Sequence, residues 1–229
     1  MDFTHEKGAL RETITARRRA LDETGWRKLD TPRLEALLSQ LPDPGVIAIY
    51  ASRRHEPDTL AAIEELRRRG WQVLLPKLSR EPDWAWATDE LRPGWAGIPE
   101  PTGPGMGIEA LGQADVVVVP CLAVSRDGSR LGMGGGWYDR ALRHRRPGTP
   151  VWALANADEV LPALPSEPHD LPVDAVVTEN GFTWTAIPRA ASAAMIPVVM
   201  VVLPCPDAAA AMTKRGMFTT AEPDRKSVV

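Results

Sequence analysis

Between residues 130 and 139 the sequence reads RLGMGGGWYD, with Gly132, Gly134, Gly135 and Gly136 lying between an arginine and an aspartate. Glycine accepts positive φ and has no Cβ to hold a ligand away, so such a run lets several backbone N–H groups converge on one phosphate. Trp137 opens a predicted helix, whose first turn would add a partial positive charge. Arg130 brings a planar, permanently charged fork, and Asp139 a hard carboxylate oxygen of the kind Mg2+ takes. These residue types describe polyphosphate chemistry. The glycines by themselves fit a tight turn equally well. The stretch is not a P-loop, because G-x-x-x-x-G-K-[ST] is absent, and its glycines do not directly follow a strand as a dinucleotide fingerprint requires.

Two further places could contribute. Lys7 and Arg11 are one turn apart on a predicted helix, so both cations can reach one anion; the same spacing also suits a solvated basic face shared with Arg18. Glu56 follows the first predicted strand in YASRRHEPDT, at the end of the strand where open α/β sheets bind ligands. An ordinary surface-loop glutamate is the alternative. Cys121 and Cys205 form no CxxC pair and are read as reduced structural thiols. Trp84, Trp86 and Trp95 are read as core or hairpin packing.

The elements that must position these groups follow from periodicity. A helix is predicted over 4–22, and a second over 31–41 with Pro32 in its first turn, where a missing N–H is harmless. A buried strand over 45–51, an amphipathic helix over 59–69 closed by Gly70 and a strand over 72–76 make a βαβ unit. Residues 79–106, rich in Pro, Gly and Trp, predict a hairpin and an irregular loop. DVVVV at 115–119 suits a strand covered on both faces, and further strands are expected over 151–155 and 175–178. A helix is expected over 137–144. The fold class is therefore α/β: a single domain with a mainly parallel central sheet covered by helices. Residues 1–188 form the expected domain, and 189–229, rich in Ala, Pro, Val and Met, a weakly structured C-terminal tail.

Composition narrows the function. With 27 Lys and Arg against 30 Asp and Glu, a nucleic-acid partner is not expected. The charged N-terminus has no apolar core for export, and the longest apolar run, 190–203, is broken by Pro197 and too short to span a bilayer. A cytoplasmic protein is the expectation.

GSRLGMGGGWYDR resembles the signature of the 5-formyltetrahydrofolate cyclo-ligase family, in which R-L-G-x-G-G-G-[YF]-Y-D precedes a helix. Trp137 stands where that family carries Tyr or Phe. The resemblance extends from about residue 7 to 178 through the K-x-x-x-R helix, YASRRHEPDT, GIPEP and LPSEPHDLPVDAVVTE. It implies the architecture shared with sugar-phosphate isomerases and CoA-transferases, and ATP-dependent conversion of 5-formyltetrahydrofolate to 5,10-methenyltetrahydrofolate with release of ADP and phosphate. By resemblance, Lys7, Arg11, Arg130, Gly132, Gly134, Gly135, Gly136, Trp137 and Tyr138 bind ATP. Ala51, Glu56, Met133 and Trp137 border the reduced folate, and Asp139 and Asp174 hold Mg2+. His169 and Asp170 also match but are read as structural. The implied partners are ATP and a folate, without nucleic acid or membrane, on a monomer. A fold-sharing isomerase, or a module that binds without turnover, is the rival reading.

Overall fold

A computed structural model describes residues 4–186. In chain order its elements are α1 (Thr4–Ala20), α2 (Glu23–Gln40), β1 (Val46–Ile49), α3 (Leu60–Arg68), β2 (Gln72–Leu78), β3 (Pro82–Trp86), β4 (Leu91–Pro93) and β5 (Pro99–Pro101). They continue with β6 (Val116–Pro120), β7 (Ala123–Ser125), β8 (Arg130–Leu131), α4 (Trp137–Ala141), β9 (Val151–Leu154), β10 (Val160–Leu161), β11 (Ala175–Thr178) and β12 (Gly181–Trp184). The expected tail, and with it Cys205, lies outside the described residues.

The main sheet runs β12-β11-β9-β6-β1-β2-β3, with β2, β1, β6, β9 and β11 parallel and the two edge strands antiparallel. The chain leaves β1 toward β2 on one side and leaves β6 toward β9 on the other, so strand order reverses between β1 and β6. Loops after these two strands diverge and leave a crevice at their carboxyl ends, which is where such sheets bind ligands.

Helices cover opposite faces. α3 buries Ala62, Ile63 and Leu66 beside Ile47, Ile49 and Val118, together with Leu37 of α2. It stops because Gly70 takes φ +89° and the Gly70 and Trp71 amides return to the carbonyls of Arg67 and Leu66. Leu66 has no exposed surface, so truncating it to Ala would cost about 2–5 kcal/mol. α4 covers the other face, where Ala141 and the following Leu142 meet Ala48, Val117, Val119 and Ala153.

α2 begins at Glu23 rather than near Thr31. Asp22 is its N-cap and accepts from the Gly25 amide at 2.7 Å, while Pro32 sits inside the helix. The carbonyl deprived of a donor belongs to Lys28, an exposed residue, so water can serve it. Residues 79–106 contain β3, which pairs with β2, and the β4–β5 ribbon. Trp84 is fully buried and Trp86 packs beside it, but Trp95 is 70% exposed, against the packing role expected for it. The helix expected over 137–144 is five residues of α4 followed by a 3-10 turn, Leu142–His144.

Two aspartates share one structural task. Asp115, before β6, accepts from the Val46 amide at the start of β1, and Asp174, before β11, accepts from the Val151 amide at the start of β9. Both satisfy a first-strand N–H at the amino ends of the sheet. No helix among the described residues is long and apolar enough to cross a membrane.

Candidate functional site

β7 and β8 form a tight antiparallel pair that delivers the chain from the end of β6 into the glycine bend. Gly134 takes φ +100° and Gly136, the N-cap of α4, φ +60°. Arg11 reaches this bend from α1: its Nε donates to the Gly132 carbonyl at 2.9 Å, and its guanidinium carbon would stand 3.4 Å from a Cβ at Gly134. A side chain there would be both strained and crowded. Arg140 donates to the Gly135 carbonyl at 3.1 Å. Since α4 is only five residues long, the positive field at the bend comes mainly from arginines rather than from a helix dipole.

Arg130 stands at the entrance to the bend with its side chain 4% exposed. Its Nη2 donates to Asp139 Oδ1 at 2.9 Å, and the same oxygen accepts from the Leu171 amide at 3.1 Å. Oδ2 of Asp139 accepts no hydrogen bond among the described residues, which fits Mg2+, an ion that takes one or two carboxylates and completes its shell with water and phosphate oxygens. Asp174, at the amino ends of β9 and β11, accepts from the Val151 amide through Oδ2 at 2.7 Å.

The basic face of α1 is turned inward. Lys7 is 6% exposed and donates to Glu167 Oε2 at 2.7 Å and to Asp170 Oδ2 at 2.8 Å. Burial opposes its charge, but the two carboxylates outweigh that and raise its pKa. Arg18 forks onto both oxygens of Glu159 at 2.7 Å and donates to the Cys121 carbonyl at 2.8 Å, all of it buried. The solvated-face alternative therefore fails for Lys7 and Arg18. Glu167, Asp170 and Glu159 were not singled out as site residues in the sequence. The available signal was the matching segment LPSEPHD, which contains both Glu167 and Asp170.

On the other side of the crevice, the loop after β1 is tied shut by Thr59, whose hydroxyl donates to the Tyr50 carbonyl and accepts from the Ser52 amide. Tyr50 donates from its phenol to the Pro57 carbonyl. Within this loop Glu56 is fixed by Arg53, which donates from its amide at 3.1 Å and from Nε at 3.0 Å. His55 adopts φ +67°, a strained choice for a residue with a Cβ. A cavity of about 480 Å³ opens here, lined by Trp26, Asp30, Ser52, His55, Glu56 and Asp58 among others. Ala51 is buried at the base of the loop.

Tyr138 connects the two halves. Its partly buried ring packs against the core cluster that holds Tyr50 and Ala51 and against the one that holds Ala141 and Leu142. Burial pushes its phenol pKa up, the charge of Glu56 adds to the rise and that of Arg130 opposes it. Trp137 is wedged edge-on against Trp84 and Tyr138, with centroids 5.5 and 4.9 Å away, so it anchors the bend to the core. Met133 is 58% exposed at the outer side. The structure thus brings Lys7, Arg11, Arg130, the glycines, Tyr138 and Asp139 together, with Glu56 and Ala51 on the adjoining loop.

Against known proteins, residues 3–179 match the model of the 5-formyltetrahydrofolate cyclo-ligase family. The chain belongs to this family. Among cyclo-ligases, that of Mycolicibacterium smegmatis is 35% identical over 183 residues, covering 75% of this chain and 93% of the relative. The Escherichia coli K12 cyclo-ligase is 30% identical over 181 residues, covering 73% and 97%. The solved Aquifex aeolicus 5,10-methenyltetrahydrofolate synthetase superposes with a TM-score of 0.68 at 28% identity, over 81% of this chain and 96% of that one. The Mycoplasma pneumoniae synthetase, at 23% identity, shares the fold with a TM-score of 0.60 over 76% and 98%. The cyclo-ligase fold is the single α/β domain with a mostly parallel sheet described above.

Proposed function

We propose that this chain closes 5-formyltetrahydrofolate to 5,10-methenyltetrahydrofolate at the expense of ATP. The observation that carries the reading is the convergence, at the β1/β6 crevice, of a cation-lined glycine bend with a carboxylate held in a separate cavity-forming loop. An anionic polyphosphate suits the first, and the amino-pyrimidine edge of a pterin suits the second, since a carboxylate accepts two donors from such an edge.

The chemical obstacle is a stable amide. Phosphoryl transfer from ATP to the N5-formyl oxygen gives ADP and an imidate phosphate; N10 attacks the formyl carbon, and the C–O bond breaks with release of inorganic phosphate. Such a reaction asks for positioning and charge stabilisation rather than a protein nucleophile. Lys7, Arg11, Arg130 and the amides of Gly132 to Gly136 are assigned to the phosphates, beside Trp137 and Tyr138. Glu56 orients the folate, with Ala51 and Met133 at the borders. Asp139 and Asp174 are the carboxylates assigned to Mg2+, which when bound would neutralise phosphate charge. The reading places the enzyme in the cytoplasm as a monomer with ATP and a reduced folate as its partners.

The test is spectroscopic: methenyltetrahydrofolate should appear from 5-formyltetrahydrofolate with Mg-ATP and not without it. Turnover independent of nucleotide would point to isomerase-like chemistry, and binding without turnover would leave only a folate-binding module.

A further inference from the structure

A single turn, residues 167–171, holds the lysine of α1 with one residue and, with the next, the aspartate that pairs with the arginine of the glycine bend. Asp170 Oδ2 accepts from Lys7 Nζ at 2.8 Å and from the Glu167 amide at 2.9 Å, while Glu167 Oε2 accepts from Lys7 at 2.7 Å. The Asp170 amide returns to the Glu167 carbonyl at 2.9 Å, so the turn is closed by its own backbone. The following amide, Leu171 N, donates to Asp139 Oδ1 at 3.1 Å, the oxygen that accepts from Arg130 at 2.9 Å. Lys7 and Arg130 are thereby fixed to one rigid piece of chain.

We propose that Asp170 is a positioning residue, which holds the Lys7 ammonium beside the glycine bend in register with Arg130 so that both cations meet the nucleotide phosphates together. This rests on the ATP reading above and adds to it a residue that never touches the nucleotide. An ammonium carries three donors, and two are spent on Glu167 and Asp170, which leaves one N–H for a phosphate oxygen. Lys7 has a side chain only 8% exposed, so a lysine there without counter-charges would tend to lose its proton. Glu167, His169 and Asp170 place their ligand atoms within 4.8 Å of one another, a grouping that could suggest a metal, but the Lys7 ammonium already joins both carboxylates. The opposite arrangement, a latch that keeps Lys7 away from ATP, predicts the reverse sign in the measurement below.

The experiment uses the full chain with Asp170→Asn, which keeps an oxygen for the Glu167 amide and removes the charge. The KM for Mg-ATP should rise roughly tenfold, the scale of one charge-assisted hydrogen bond, while the KM for the folate stays within about twofold. In a Lys7→Ala background the same substitution should change the ATP KM by less than about twofold, because its effect passes through Lys7. Glu167→Gln, at a more exposed position, should shift the ATP KM in the same direction by less. A second readout needs no nucleotide: acetylation of Lys7 by an amine-directed reagent, followed by peptide mass spectrometry, should be clearly faster in Asp170→Asn than in the wild type. A lower ATP KM, equal rises for both substrates, additivity with Lys7→Ala, or unchanged Lys7 labelling would each overturn the proposal. A wild type indifferent to ATP would sink the functional reading instead, with the labelling arm still deciding whether Asp170 holds Lys7.

Discussion

Arg130 Nη2 and Asp139 Oδ1 face each other at 2.9 Å across the glycine bend, so the arginine that enters the bend and the acid that leaves it are locked together. Because the Arg130 side chain is 4% exposed, its charge is both shielded from solvent and fixed in direction. Arg130→Ala should reduce kcat/KM for ATP roughly 10–100-fold, and Arg130→Lys should fail to restore it, since a point charge cannot reproduce the planar fork. Steady-state kinetics with ATP varied and the fold monitored by circular dichroism checks this. Unchanged ATP kinetics would refute the role given to Arg130.

Glu56 belongs to the other loop, and its substitution should separate the two substrates. Glu56→Gln is expected to raise the folate KM about tenfold, with the ATP KM nearly constant. Comparable losses for both substrates would assign Glu56 to holding the Arg53 turn instead.

The buried Arg18–Glu159 fork predicts a stability effect rather than a kinetic one. With the two side chains 3% and 2% exposed, Arg18→Ala strands a carboxylate without its partner and should destabilise the fold by about 3–5 kcal/mol. Urea unfolding of Arg18→Ala beside Arg18→Lys checks this: the lysine keeps a charge for Glu159, which also accepts from the Asn156 amide, and should recover part of the loss.

Acid sensitivity should trace to Asp170. Burial would raise its carboxyl, but hydrogen bonds from Lys7 and the Glu167 amide outweigh that and hold it below the usual carboxylate range. A folded pKa below the unfolded one means that the stabilisation is complete above about pH 4 and fades as pH falls through the folded value. The gap in Tm between wild type and Asp170→Asn should therefore be constant from neutral pH down to that point and narrow below it. A gap that widens in acid would contradict the assignment.

Burial pushes the Cys121 thiol up to about 12. At pH 8 the thiolate is then on the order of one part in ten thousand, so alkylating reagents should leave Cys121 untouched in the folded protein and modify it in urea. Peptide mass spectrometry isolates this cysteine from Cys205.

The central strands could be read from the sequence because runs such as VIAI and VVVV are apolar on both faces, a property of the segment alone. α2 was misjudged through Pro32: a proline was expected to open a helix, and the Asp22 cap that opens it lies a full decade of residues earlier. β7, β8 and β10 escaped notice because they are two or three residues long and held by pairings such as Val160 with Val124. Of the site, the glycine bend and its Arg and Asp were legible as local chemistry. The inward turn of Lys7 was not, since its partners Glu167 and Asp170 come from the far end of the domain. The hydrogen bond from the Val151 amide to Asp174 was not legible either, since it comes from a neighbouring strand.

The two loops of the candidate site spring from β1 and β6, which are hydrogen-bonded neighbours in register at Ile47 with Val116 and Ala48 with Val117. Their bases cannot swing apart without tearing the middle of the sheet. Whatever enclosure the substrates experience must come from loop and side-chain adjustments of a few ångströms, not from a clam-shell motion, and scattering profiles with and without ligands should superimpose.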